Sequence, residues 1–220
     1  MMSHHSRLIH FIDPEQSIDG IVALGGPLTT TNLLRAYRRG IFPWPVEDFV
    51  PWCCPEERGI LEFNELHIPR RLARTRHGFD FTIDRAFPQV ISHCATIKRN
   101  HESGTWITAQ MIRAYCELHR LGHAHSVEVW EGTELVGGLY GVDAGSFAGE
   151  SMFSLRSNAS KLALLFLIEH LKERGLDWID IQMVTPHLEA LGAKLISRAH
   201  FLEKLTATQK RNLTLFQAII

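Results

Sequence analysis

The chain has no hydrophobic run long enough to cross a membrane: its longest, Leu162 to Ile168, is far below the roughly 20 residues a spanning helix needs. Cysteine is scarce. The four present, Cys53, Cys54, Cys94 and Cys116, form neither a CxxC pair nor a spaced quartet, which argues against a zinc site or a disulfide framework and for reduced, mostly buried thiols. Charge of neither sign prevails. With 23 Lys and Arg against 24 Asp and Glu in 220 residues, a polyanion partner would have to be met by a local patch and not by the field of the whole molecule. The first residues, MMSHHSRLIHF, carry neither the apolar stretch nor the small-residue cleavage site of a secretory signal, so a cytoplasmic location is expected.

Common catalytic signatures are absent as well. Gly149-Glu150-Ser151-Met152 is not GxSxG, so there is no serine-hydrolase elbow. The 13 histidines come without HExxH, and Gly122 separates His119 from His123 and His125; these read as structural or solvated, with no metal expected. Gly137, Gly138 and Gly141 lie inside a strand pattern and not between a strand and a helix, which excludes a dinucleotide loop and points to close backbone approach.

What remains is an ordinary globular composition, 45% hydrophobic and 21% charged, of a length that suits one domain or two small ones. Residues 1–62 read as a small, loop-rich N-terminal unit. Within it Thr30 to Arg39 is helical, with Leu33, Leu34 and Tyr37 on one face, Arg35, Arg38 and Arg39 toward solvent and Gly40 as the stop. Four prolines between positions 43 and 55 then forbid regular helix. Trp44 and Trp52, set in this proline-stiffened stretch, are expected either to pack onto the second domain or to line a pocket between the domains.

Residues 63–220 form the larger unit. A helix from Thr108 to Leu121 buries Met111, Ile112, Tyr115 and Leu118. Period-two patterning follows in His125–Trp130, Glu134–Val142 and 145–150, three strands of a meander. A helix from Asn158 to Arg174, capped by Asn158 and apolar almost all round in its first half, is expected to be buried against a sheet. The strand DWIDIQ over 177–182 precedes a short helix opened by Thr185-Pro186 and ended by Gly192. This is an α+β layout, a mixed central sheet with flanking helices, and its order resembles that of GNAT acyltransferases. In such an enzyme a glycine-rich turn would cradle coenzyme A pyrophosphate ahead of the buried helix, and here that turn, Ser154 to Asn158, has no glycine.

Three polar residues can converge at the carboxyl edge of that sheet: Glu150, Asp180 and Gln182, the last two sharing a strand face. A hydrogen-bonded network that merely closes the strand ends is the alternative. Arg70, Arg71, Arg74 and Arg76 form the densest basic run, either a phosphate site or a solvated face. Trp44, Trp106 and Tyr115 could stack an unpaired base.

The blocks GIFPWP from Gly40, ESGTWIT from Glu102, GHAHSVEVW from Gly122, ELVGGLYGV from Glu134, GESMFS from Gly149, NASKLAL from Asn158, IDIQ from Ile179 and HLEALGA from His187 together resemble the leucyl/phenylalanyl-tRNA–protein transferases. The resemblance implies a GNAT-like domain behind a small N-terminal domain, acting without a cofactor. It implies transfer of Leu or Phe, and weakly Met, from aminoacyl-tRNA to the N-terminal Arg or Lys of a protein, which is thereby marked for degradation. It further implies an aminoacyl-adenosine pocket at Trp44, Trp106, Tyr115, Leu139 and Phe147, a tRNA-binding cluster at Arg70, Arg71, Arg74 and Arg76, and a reaction centre of Glu150, Asp180 and Gln182. There Asp180 would orient the Gln182 amide, and Glu150 would anchor the cationic acceptor. A monomer with no membrane partner is expected. The sequence departs from the family's usual pattern at Trp52-Cys53-Cys54-Pro55, often Trp-Trp-Ser-Pro, and at Leu139, often Met. A coenzyme A-dependent N-acetyltransferase and an RNA-binding adaptor without chemistry are the competing readings.

Overall fold

The computed structural model describes residues 8–46, 49–69, 72, 75–97 and 105–217. Two sheets organise them. The N-terminal unit holds a three-stranded antiparallel sheet of β1 (Ile21–Leu24), β2 (Phe42–Pro43) and β3 (Pro51–Cys53), with β3 in the middle, and one helix, α1 (Thr30–Tyr37). The sequence pattern misses these strands because two are proline-bearing and none exceeds four residues. Thr29 caps α1 by accepting from the Asn32 N–H, and Gly40 follows at a φ of 71° that favours glycine. Two of the arginines expected to face water do more than that: Arg35 and Arg39 donate to the carbonyls of Ile9 and Phe11 and lie over the Phe11 ring, tying down the segment before β1.

The larger sheet has seven strands. In chain order these are β4 (Glu57–Glu62), β5 (Asp80–Ile83), β6 (Ala124–Glu131), β7 (Glu134–Asp143), β8 (Phe147–Ser154), β9 (Trp178–Gln182) and β10 (Lys194–Ser197). In space the order is β10-β4-β9-β8-β7-β6-β5, and only β8 and β9 run parallel. The meander, the buried helix and the parallel strand beyond it thus appear as expected. Three differences stand out. β8 runs to Ser154, so Glu150 lies within the strand and not at its end. β4 pairs with β9 and β10, so it belongs to the larger sheet, and the division expected after residue 62 would cut it from its partners. β4 and β10 carry no clean alternation of their own, which is why they were not legible.

Helices cover both faces. α2 (Phe87–Thr96) and α3 (Ala109–Arg120) pack on one, α4 (Ala159–Glu173) on the other, and the chain ends with α5 (Pro186–Glu189) and α6 (Arg198–Gln209). Burial on both faces explains the unbroken apolar run of β7, where Val136 and Leu139 join the α4 core while Leu135 and Tyr140 join the other. Eight residues of α4 are buried, from Ala159 to Leu171, so the near-uniform apolarity of its first half is satisfied. Its cap differs from expectation: Asn158 stands at the N-cap in the left-handed conformation and makes no capping bond with its side chain. The glycine at position 137 is required by close approach, since a Cβ there would lie 2.5 Å from that of Ala159 on α4.

Candidate functional site

The register of one strand pair builds the site. β8 and β9 are matched at Ala148 and Asp180, and each strand then advances two residues to Glu150 and Gln182. There they part: Gln182 turns out of β9 at a φ of 55°, and its side chain closes the gap, Nε2 donating to Glu150 Oε1 at 2.9 Å. Ligands collect where parallel strands end and diverge, and a cavity of about 340 Å³ opens at this point. Its wall includes Leu139, Phe147, Leu167 and Ile179 in the interior, and Phe42, Trp44 and Trp106 at the side of the N-terminal unit. Trp44 and Trp106 stack face to face with centroids 5.1 Å apart. Trp52, by contrast, is fully buried and donates its indole N–H to the Gly25 carbonyl.

Behind Glu150 runs a short polar chain. The Tyr115 hydroxyl donates to Glu150 Oε2 at 3.1 Å, and because that uses its one hydrogen, the Tyr37 hydroxyl donates to Tyr115. Tyr115 therefore reaches the cavity only through Glu150 and does not stack in it. Burial, with the Glu150 charge adding to it, holds both phenols well above their usual pKa. Burial is also what raises the Glu150 carboxyl to about 7; the tyrosine hydroxyls and Arg58 oppose the rise, and Asp180 adds to it.

This shift makes a prediction. In the unfolded chain Glu150 titrates near 4.5, whereas the folded protein keeps its proton up to about 7. The contribution of Glu150 to stability is therefore fully present below the lower value and is lost as pH rises through this window, about 3 kcal/mol in all. Urea denaturation at pH 5, 6, 7 and 8 should show the decline, and Glu150→Gln should flatten it.

Asp180 is differently occupied. Both its oxygens accept from Arg58, at 2.8 and 2.7 Å, and Oδ1 also accepts the backbone N–H of Gln182 at 2.9 Å. The Asp180 carboxylate thus fixes the left-handed backbone of Gln182, while Glu150 orients its amide; the expected contact between Asp180 and that amide is not made. Nor does Asp180 line the cavity. Arg58 is almost wholly buried, its guanidinium between the rings of Phe42 and Phe201 at 4.6 and 4.5 Å. Burial works against its charge and the Asp180 carboxylate outweighs that effect, so its pKa is raised. Arg58 and Tyr37 were missed in the sequence, Arg58 because a lone arginine in a strand resembles a solvent-facing one, Tyr37 because its helix position marks it as core.

Of the remaining sequence candidates, those described do not line the cavity. Arg70, Arg71 and Arg74 lie outside the described residues. Arg76 pairs with Glu169 at 2.8 Å and lies over Phe81. His125 is buried, bonded to Asp84 at 2.7 Å and stacked on Phe216, a structural role. Among the described residues no helix is long and apolar enough to cross a membrane.

Comparison with known proteins gives one family. Residues 60–206 match the family described as leucyl/phenylalanyl-tRNA protein transferase, and residues 26–56 match the N-terminal domain of the same family. A protein of Hydrogenovibrio crunogenus named leucyl/phenylalanyl-tRNA–protein transferase is 50% identical over 83% of this chain and 73% of its own. Relatives of the same name from Legionella pneumophila and Pseudoalteromonas atlantica are 48% and 44% identical, over 91% and 93% of this chain and 91% and 90% of theirs.

Proposed function

This chain belongs to the leucyl/phenylalanyl-tRNA protein transferase family, and on that premise we propose that it moves leucine or phenylalanine, and methionine weakly, from aminoacyl-tRNA to the N-terminal Arg or Lys of proteins, marking them for degradation. It is an aminoacyltransferase. The observation that carries the reading is the hydrogen bond from Gln182 to Glu150 at the mouth of an apolar cavity flanked by a tryptophan pair. On this reading the terminal adenine lies against Trp44 and Trp106, and the aminoacyl side chain enters the space walled by Leu139, Phe147 and Ile179.

Aminolysis of the ester needs a neutral amine, and an N-terminal amine of pKa about 7.7 to 8.0 is neutral in roughly a tenth of molecules at pH 7. Gln182 Nε2 is committed to Glu150, so its Oε1 is left to accept a hydrogen bond from the amine and hold it in line with the carbonyl. Glu150, titrating at about 7, is matched closely enough to that amine to take its proton, and as a carboxylate it attracts the cationic acceptor. Asp180, locked to Arg58, is a positioning residue. The Arg70 to Arg76 run is assigned to the tRNA backbone, and the enzyme to the cytoplasm as a monomer.

Incubation of labelled leucyl-tRNA with Arg-starting and Met-starting peptides tests the proposal: label should pass to the first only, and label on neither sinks it. Donor choice is the second prediction. One methylene in an apolar pocket is worth about 1 to 3 kcal/mol, so methionine should be transferred at a reduced rate. Isoleucine, branched at Cβ, should transfer least in a side-by-side measurement of Leu, Phe, Met and Ile donors, and efficient Ile transfer contradicts the assigned pocket.

A further inference from the structure

A second cavity, of about 360 Å³, adjoins the first, and four residues including Met152 and His187 wall both. Its size is that of a site for a small ligand. Phe153 and Leu191 supply an apolar side, Asn158 and Lys161 a polar one. Among the described residues neither polar group is committed: the Asn158 side chain makes no capping bond, and half-buried Lys161 has no carboxylate within ion-pair distance. An ammonium without counter-charge beside an apolar wall attracts an anion and repels a cation. It therefore suits the phosphodiester of the donor and opposes the Arg or Lys of the acceptor.

We propose that the second cavity receives the nucleotide preceding the terminal adenosine of the donor RNA. Its phosphodiester meets Lys161, its base lies against the partly exposed Ile97 and Met152, and the Asn158 amide offers a donor and an acceptor to the base edge. The inference rests on the reading of the first cavity as the aminoacyl-adenosine site.

Titration of tryptophan fluorescence with adenosine, with an uncharged CCA trinucleotide and with coenzyme A tests it without requiring transfer. The wild-type protein should bind CCA at least about tenfold more tightly than adenosine, the extra affinity coming from one base against an apolar wall and one paired phosphate. Lys161→Glu should bring that ratio close to one, and Lys161→Ala should reduce the slope of log affinity against log salt by about 0.7, the value for one phosphate of a single strand. A melting curve for each variant verifies the fold. A ratio and a slope that survive both substitutions overturn the inference, and so does tighter binding of coenzyme A than of CCA. If CCA binds in a Lys161-dependent way while adenosine binds nowhere, the second cavity keeps its assignment and the reading of the first one fails.

Discussion

Arg58→Met should lower stability by about 3 to 5 kcal/mol, because it strands the Asp180 carboxylate in the interior without its partner. The pair is buried on both sides, and the substitution removes two short hydrogen bonds and the cation held between Phe42 and Phe201. Urea denaturation measures the loss. Transfer should fall with it, since Asp180 also holds the Gln182 backbone and Phe42 lines the cavity. A double variant, Arg58→Met with Asp180→Leu, separates the two effects. Replacing a buried ion pair by apolar residues of similar volume is often neutral for stability, so the double variant should recover most of the fold. It should not recover transfer, because the acceptor for the Gln182 N–H is gone. Full activity in the double variant would show that the ion pair has no part in placing Gln182.

Gln182→Ala should reduce kcat/KM about 100-fold while changing stability by no more than about 1 kcal/mol, the pattern of a group that positions a reactant. Alanine leaves the strand pairing in place but removes both the acceptor for the amine and a donor to Glu150. Gln182→Glu is the sharper substitution. It sets a second carboxyl where the amide stood, 2.9 Å from Glu150, and two carboxylates at that separation titrate as a pair with one pKa strongly raised. The acidic limb of the single-turnover rate should move to higher pH. An unaltered rate and profile in Gln182→Glu would remove Gln182 from the mechanism.

The elements that sequence legibly encoded are those with their own complete signal. Helix α3 has a capping threonine, a face of Met111, Tyr115 and Leu118, and a terminating glycine, and it forms with Thr108 accepting from Met111. Helix α4 and the meander before it are legible for the same reason. The strands that were not legible, β1 to β5 and β10, are short, interrupted by proline or borrow their stability from neighbours far along the chain. The site divides in the same way. Glu150 and Gln182 stand out as polar residues in otherwise apolar strand patterns, while Arg58 has no local mark and is identified only by what surrounds it.

Sequence alone determined the order of the meander, the buried helix and the strand after it, the residue types proposed for the reaction centre and, through its ordered blocks, the resemblance to one family. Tertiary structure alone decided how those residues are wired. Asp180 turned to Arg58, Glu150 became the partner of the Gln182 amide, and Tyr115 came to stand behind the cavity and not in it. The physical reason is that periodicity and capping act over a few residues, whereas partner and burial are set by segments 32 to 122 residues apart that meet only when the sheet closes.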